Sequence, residues 1–163
     1  MNSSVLKRKS KILLEQYEFA DRVLPKDILV GDIGCRTGYG TKVLKNGRKV
    51  IGLDKPEVVK QARIDYPGEY LEVDFDDKNV VSYEFDAIVC LDTLLHLKEP
   101  EDFLSKLKTK YLIISAAIDT DVSEDQFKRM LIGKWIIKDE LWQHCDKKEN
   151  YLVVYATNGS NNT

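Results

Sequence analysis

The sequence predicts an α/β fold, with a mostly parallel sheet that carries helices on both faces and ends in an antiparallel β-hairpin. Short apolar runs alternate with amphipathic segments along most of the chain, which is typical of β/α alternation. Glycine, proline and acidic residues bound these runs, as expected at strand ends and helix starts. The last two strand-like runs are joined by a short polar link without a helix, so we expect them to pair antiparallel.

The elements can be placed along the chain from these patterns. Apolar residues at helical spacing predict a first helix at 10–24, and Pro25 ends it. Pro56, Pro100 and Ser123 mark the starts of three later helices. The predicted strands lie at 28–34, 49–54, 69–73, 85–91, 111–115, 135–142 and 150–156, and the predicted helices at 10–24, 41–45, 56–66, 99–108 and 123–133.

Composition predicts one globular domain. The chain has 163 residues, of which 43% are apolar and 32% charged. We expect a single domain over residues 1–157 and a disordered tail over 158–163, where asparagine, glycine and serine dominate. The net charge of -2 argues against a protein that coats duplex nucleic acid. The one dense basic cluster, residues 6–11, is interpreted as a solvated helix end rather than an RNA contact.

The cysteines and the N-terminal segment indicate the cellular compartment in which we expect the protein. Cys35, Cys90 and Cys145 are far apart, which predicts reduced thiols and a cytoplasmic protein. No cluster of cysteine and histidine has metal-ligand spacing, so no metal is predicted. No apolar run has the length of a signal core or a membrane span, so no membrane association is expected.

A glycine-containing loop follows the first predicted strand. Ligands of such sheets bind beyond the carboxyl ends of the strands, where strand order reverses. A dinucleotide loop needs three glycines in the pattern G-x-G-x-x-G, because the second lets the backbone approach a pyrophosphate. Counting from Gly34, those positions hold Gly34, Arg36 and Tyr39, and a frame starting at Gly38 fails at Val43. The loop therefore predicts a ligand without a pyrophosphate.

The loop resembles that of the class I S-adenosylmethionine-dependent methyltransferases, and the resemblance extends over nearly the whole chain. The family pattern is acid-x-Gly-x-Gly-x-Gly, and this chain has Asp32, Gly34, Arg36 and Gly38, so one glycine is replaced. The resemblance implies a Rossmann-like sheet of seven strands, methyltransferase activity and S-adenosyl-L-methionine as cofactor. The terminal hairpin is also a feature of this family.

The resemblance also implies which residues bind the cofactor. Asp54 ends the second strand 20 residues after Gly34, where a carboxylate can accept both ribose hydroxyls. Asp74 follows the third strand, where the family holds the adenine amino group, and Phe75 would contact the ring. The segment after the fourth strand would form the floor beside the methyl group. The predicted cofactor-binding residues are Asp32, Gly34, Arg36, Gly38, Tyr39, Asp54, Lys55, Asp74, Phe75 and Leu91.

Arg36 and the catalytic residues leave alternatives open. The Arg36 side chain either points to solvent or pairs with the methionine carboxylate of the cofactor. His96 and Asp92 are the candidate catalytic residues, because a helix would place them four residues apart on one face, where the carboxylate could orient the imidazole. The alternative is that His96 packs at a helix end that Asp92 caps.

The methyl acceptor cannot be read from the sequence. A small molecule is favoured because the chain is not basic overall, and nucleic acid is not excluded. With no large insertion to form a lid, a second subunit in a homodimer is one possible cover for the site. Two other readings are a non-catalytic cofactor-binding module on the same fold and a dinucleotide-dependent oxidoreductase, against which the loop argues.

Overall fold

The computed structural model describes residues 3–75, 83–145 and 149–159. Seven strands and five α-helices alternate in this part of the chain. The strands are β1 Leu29–Ile33, β2 Lys49–Asp54, β3 Glu69–Glu72, β4 Ala87–Cys90, β5 Tyr111–Ile118, β6 Trp135–Cys145 and β7 Glu149–Asn158. The helices are α1 Ser3–Val23, α2 Tyr39–Leu44, α3 Pro56–Asp65, α4 Pro100–Lys106 and α5 Glu124–Arg129, and a 3-10 helix spans Leu94–His96.

All seven strands form one sheet in the order β3-β2-β1-β4-β5-β7-β6. The first five strands pair parallel, whereas β7 pairs antiparallel with both β5 and β6. Strand order reverses between β1 and β4, so the carboxyl ends of these strands form the crevice in which ligands of such sheets bind. The predicted fold class is confirmed, including the antiparallel hairpin.

Helices cover both faces of the sheet because its central strands are apolar on both sides. One core cluster joins α1 and α2 to the sheet through Phe19, Leu44 and Val89. The other cluster joins α4 and α5 to the opposite face through Leu104 and Phe127. Strands buried on both faces read as continuous apolar runs, which is the pattern that predicted them.

A buried arginine, Arg48, joins the C-terminal ends of α1 and α2 by hydrogen bonds. The Arg48 guanidinium donates hydrogen bonds to the carbonyls of Asp21, Leu24 and Pro25, where α1 ends. It also donates to the carbonyl of Leu44 and to the Asp21 carboxylate. Carbonyls at a helix end have no partner within the helix, so Arg48 satisfies groups that would otherwise be buried without one.

A chain of buried side-chain hydrogen bonds joins the middle of α1 to the sheet. Gln16 Nε2 donates to Gln143 Oε1 at 2.8 Å, and Gln16 Oε1 accepts from Ser115 Oγ at 2.8 Å. The same Ser115 oxygen accepts the backbone N–H of Asp92 at 2.8 Å. The position of α1 is thereby coupled to the loop that follows β4.

Several element boundaries differ from the sequence-based prediction. α2 begins at Tyr39, two residues early, because Gly38 takes a left-handed conformation with φ 84° and starts the turn there. α5 ends at Arg129 rather than near residue 133. The predicted tail, 158–163, begins at the last residue of β7, and residues 160–163 lie outside the described part of the chain.

Candidate active site

A cleft of about 440 Å³ opens at the carboxyl ends of β1, β2, β3 and β4. We call it the strand-tip cleft. Its lining combines three carboxylates, Asp54, Asp74 and Asp92, with apolar side chains such as Val58, Phe75 and Leu97. The parallel order of β1 to β4 brings together residues that are 63 positions apart in sequence, from Gly34 to Leu97, at one edge of the sheet.

Asp54, the last residue of β2, is 8% exposed and its carboxylate is fixed by the backbone. One oxygen accepts the N–H of Arg36 and the other the N–H of Lys55, both at 2.8 Å. Each carboxylate oxygen can accept about two hydrogen bonds, so acceptor capacity remains on the side that lines the cleft. The side chain is therefore held in one orientation as a double acceptor.

Two glycines of the loop have left-handed backbone conformations and lie in close contact with neighbouring side chains. Gly34 has φ 74°, and a Cβ there would lie 2.2 Å from Thr93 Oγ1. Gly38 has φ 84°, and a Cβ there would lie 2.2 Å from the Tyr70 hydroxyl oxygen. A side chain at either position would meet both backbone strain and steric overlap, so glycine is required by this packing.

Arg36 spans the cleft to the loop after β4. Its Nη2 donates to the Asp92 carboxylate at 3.0 Å and to the Asp92 carbonyl at 3.2 Å. An acid 56 residues away thus holds the guanidinium, a partner that neither expected orientation included. Both Arg36 and Asp92 have left-handed backbones, with φ 52° and 50°. This conformation costs a non-glycine residue about 1–3 kcal/mol, which the surrounding structure must offset.

Asp92 and His96 do not share a helical face, so that prediction was wrong. Asp92 has a positive φ and precedes the 3-10 helix, which begins only at Leu94. Its carboxylate faces Arg36, and the two interact through an ion pair. A turn rather than a helix follows β4, since Asp92 has a left-handed backbone, and its N–H donates to Ser115 Oγ. His96 and Asp92 both line the strand-tip cleft.

Asp32 lies beneath the loop and is fully buried. The Tyr17 hydroxyl donates to one carboxylate oxygen at 3.0 Å and the Thr41 hydroxyl to the other at 2.6 Å. Burial raises the pKa of Asp32 to about 6, although the two hydroxyl hydrogen bonds oppose the shift. The acid of the glycine loop thus connects α1, β1 and α2 rather than lining the cleft. Leu91 is likewise buried and is part of the core.

At the far end of the cleft, Asp74 and Phe75 follow β3, and Lys55 follows β2. The Asp74 side chain is exposed, and Phe75 is partly buried against the core. These three predicted residues, together with Gly34, Arg36 and Asp54, line the same cavity. Sequence reasoning missed Val58, Thr93 and Leu97, because nothing in their local pattern distinguishes them from ordinary helix and loop residues.

A second cavity of about 590 Å³ lies between α1 and the glycine loop. We call it the tyrosine pocket, and it is lined mainly by Leu13, Leu14, Tyr17, Tyr39 and Tyr66, with Lys11 and Cys35. Arg36 and Thr37 line both this pocket and the strand-tip cleft, so the two cavities are adjacent. Tyr39, predicted as a cofactor contact, lines this pocket. Burial raises the pKa of the Cys35 thiol well above its usual range, which makes it a poor nucleophile.

Among the described residues, no group of three histidine, cysteine or acidic side chains is placed to hold a metal ion. Within the same residues, no helix is both long and apolar enough to cross a membrane.

The fold and the strand-tip cleft define an α/β protein with a cleft at the switch point of its sheet, and comparisons with known proteins show what it is similar to. The family model described as "Methyltransferase domain" matches residues 31–110. Magnesium protoporphyrin IX methyltransferase from Synechocystis, solved with S-adenosylhomocysteine, superimposes with a TM-score of 0.72 at 19% identity, covering 96% of this chain and 88% of that one. Residues 31–110 thus match a methyltransferase domain, and the fold is that of the class I S-adenosylmethionine-dependent methyltransferases.

Two further comparisons describe the extent of the similarity. A TehB-like S-adenosylmethionine-dependent methyltransferase from Corynebacterium glutamicum gives a TM-score of 0.71 at 19% identity, covering 95% of this chain and 96% of that one. A tRNA U34 carboxymethyltransferase from Helicobacter pylori is 34% identical over 100 residues, which are 52% of this chain. The alignment spans 36% of that relative's length.

Proposed function

We propose that this protein transfers a methyl group from S-adenosyl-L-methionine to an acceptor bound beside the strand-tip cleft. The observation that carries the proposal is the pair of carboxylates, Asp54 and Asp74, in one cavity with apolar side chains at the switch point of the sheet. Carboxylates accept hydrogen bonds from hydroxyl and amino groups, and they repel phosphates.

The residues of the cleft fit the adenosine half of this cofactor. Asp54 would accept the two ribose hydroxyls with the acceptor capacity that Arg36 and Lys55 leave open. Asp74 would accept the adenine amino group. Phe75, Val58 and Leu97 supply the apolar surface that a purine ring requires.

At the other end of the cleft, the Arg36–Asp92 ion pair would meet the amino acid group of the cofactor. That group carries one ammonium and one carboxylate, so it matches the pair in both charges. Asp92 would accept from the ammonium, and Arg36 would donate to the carboxylate. This extends the interpretation of Arg36 made from the sequence, because the acid that now pairs with it becomes a second contact.

When bound, the cofactor supplies a methyl group that its sulfonium already activates. The protein then has to align the acceptor and exclude competing nucleophiles, so positioning is the main contribution of its own residues. A base is needed only if the acceptor must lose a proton. His96 lines the cleft and is the candidate for that role. Full turnover in His96→Ala, once an acceptor is known, would remove this assignment.

The two rival readings receive less support. A dinucleotide would bring its pyrophosphate to the glycine loop, and Arg36 occupies the position where the backbone should approach it. A non-catalytic module on the same fold would keep the cleft and bind the cofactor without turnover. The predicted homodimer and cytoplasmic location are retained as parts of the proposal, and the scattered free thiols agree with the location.

Two acceptor classes follow from different observations. A small molecule is favoured by the net charge of the chain and by a neighbouring pocket of ligand size. RNA is supported by the similar Helicobacter pylori protein, which is named for tRNA. The family alone does not choose between them, because function resides in the site rather than in the fold.

Scanning fluorimetry tests the cofactor assignment. A ligand that binds only the folded state raises the melting temperature, so S-adenosylhomocysteine should raise it and NAD should not. Asp54→Ala should abolish the shift, whereas Asp125→Ala, which removes an exposed acid on α5, should keep it. A shift with NAD, or none with S-adenosylhomocysteine, would overturn the proposal.

A further inference from the structure

We propose that the tyrosine pocket binds a nucleotide, with its ring among the tyrosines and its phosphate towards Lys11 and Arg36. As an acceptor site, this assignment rests on the proposed function, whereas as a binding site it stands on its own. The pocket volume of about 590 Å³ lies within the range of small-molecule sites.

The base of the nucleotide would stack on exposed aromatic side chains of the pocket. Tyr39 is 36% exposed and meets Tyr66 edge to face, with 5.7 Å between the ring centroids. Lys42 Nζ lies 5.6 Å from the centroid of the Tyr66 ring, which fixes that ring by a cation–π contact. Leu13 and Leu14 form the opposite wall. Flat rings between aromatic and apolar side chains are the common arrangement for an unstacked base.

Charge around the pocket selects an anionic ligand. Lys11 and Arg36 belong to the lining, which contains no carboxylate among the described residues. Two cations and no carboxylate in the described lining of an aromatic pocket suit a phosphate beside a ring.

The tyrosine pocket and the strand-tip cleft are adjacent, because two residues line both cavities. Arg36 and Thr37 line both, so a ligand in the tyrosine pocket lies next to the amino acid end of the cleft. The Thr37 side chain, at this boundary, offers a hydroxyl to a base edge. The Tyr17 hydroxyl already donates to Asp32, so Tyr17 contributes ring surface. Lys11, which sequence reasoning assigned to a solvated helix end, thus gains a specific role in this proposal.

Calorimetry with uridine 5′-monophosphate tests the site. A pyrimidine is used because the strand-tip cleft is proposed to take adenosine, and the titration is made with and without saturating S-adenosylhomocysteine. Tyr39→Leu should weaken uridine 5′-monophosphate about ten-fold or more through lost stacking, whereas Tyr39→Phe should keep the affinity. Lys11→Gln should weaken it about two- to five-fold, and Lys138→Gln, an exposed lysine on β6, should not.

Three further ligands show which part of the nucleotide the pocket binds and whether that nucleotide is free or part of RNA. Ribose 5-phosphate and uridine should each bind more weakly than the nucleotide, because each lacks one half of it. Tighter binding of a short oligouridylate, with a steeper salt dependence, would identify RNA as the source. Equal or weaker binding of the oligouridylate would identify a free nucleotide. Either result supports the proposal.

The proposal is overturned if uridine 5′-monophosphate does not bind, if ribose 5-phosphate binds as tightly, or if Tyr39→Leu and Lys11→Gln change nothing. Its failure is distinguishable from failure of the cofactor assignment. In the first case S-adenosylhomocysteine still binds and the nucleotide does not. In the second case S-adenosylhomocysteine raises no melting temperature, whatever the nucleotide does.

Discussion

Asp32 shows how the acid of the glycine-loop motif can serve the fold. Its carboxylate lies fully buried between the hydroxyls of Tyr17 and Thr41. Burial raises its pKa to about 6, so folding favours the protonated form between the unfolded value of about 4 and about 6. The stabilising contribution of this protonation is full below pH 4 and is lost as the pH rises through 6.

Asp32→Asn should therefore remove part of the pH dependence of stability. Relative to wild type, the variant should gain stability as the pH rises from 4 to 7, by at most about 3 kcal/mol, because it buries no charge. Urea unfolding at several pH values measures the difference. Asp125→Asn on the exposed face of α5 is the control and should follow wild type. Identical slopes for Asp32→Asn and wild type would contradict the buried-carboxylate interpretation.

The second prediction at the residue scale concerns the Arg36–Asp92 ion pair. Arg36→Ala should weaken S-adenosylhomocysteine binding by about 1–3 kcal/mol, as expected for a lost charge-assisted contact. It should leave 5′-methylthioadenosine almost unaffected, since that compound has the adenosine half and lacks the amino acid group. Calorimetry with both ligands separates the two effects. Equal losses for both would mean that Arg36 acts by shaping the loop, and unchanged affinity for both would remove it from the site.

At the scale of elements, Arg48 determines how α1 is attached. Its side chain is fully buried, and its partners are backbone carbonyls at two helix ends and the Asp21 carboxylate. Burial raises the pKa of Asp21, but hydrogen bonds from Arg48, Asn46 and Lys26 outweigh this and hold it at about 2. The charged form of Asp21 thus stabilises the fold above about pH 4, and the contribution is lost as the pH falls towards 2.

Arg48→Met should destabilise the protein by about 3–5 kcal/mol, because it leaves buried carbonyls and Asp21 without their donor. For a domain of this length that is roughly a 10 °C fall in melting temperature. Arg129→Met, which removes an exposed arginine on α5, provides the comparison and should change little. A melting temperature within about 2 °C of wild type for Arg48→Met would show that the carbonyls are satisfied in another way.

The elements also show where sequence reasoning succeeds and where it stops. Buried parallel strands are continuous apolar runs, so the strands of the parallel part and the antiparallel hairpin were predictable. The loop after β4 was not, because its shape depends on a hydrogen bond from Asp92 to Ser115, 23 residues away. Local spacing predicted a helix there, and tertiary contacts gave a turn. Arg36 was uncertain for the same reason, since its partner lies 56 residues away.

At the scale of the whole molecule, two adjacent cavities meet at the glycine loop. The strand-tip cleft contains carboxylates, Arg36, Lys55 and apolar side chains, whereas the tyrosine pocket contains tyrosine rings with Lys11 and Arg36 and no carboxylate among the described residues. This division agrees with the proposed function, in which a cofactor without phosphates and a separate acceptor bind side by side. Arg36 and Thr37 belong to both linings, so substitutions there should affect both ligands.

The central claim is that Asp54 and Asp74 bind adenosine at the strand tips, and a crystal structure with S-adenosylhomocysteine tests it most directly. The predicted result has the ribose hydroxyls on the Asp54 carboxylate, the adenine amino group at Asp74 and the ring against Phe75. Electron density that places the adenosine elsewhere, or both carboxylates turned away from it, would contradict the account.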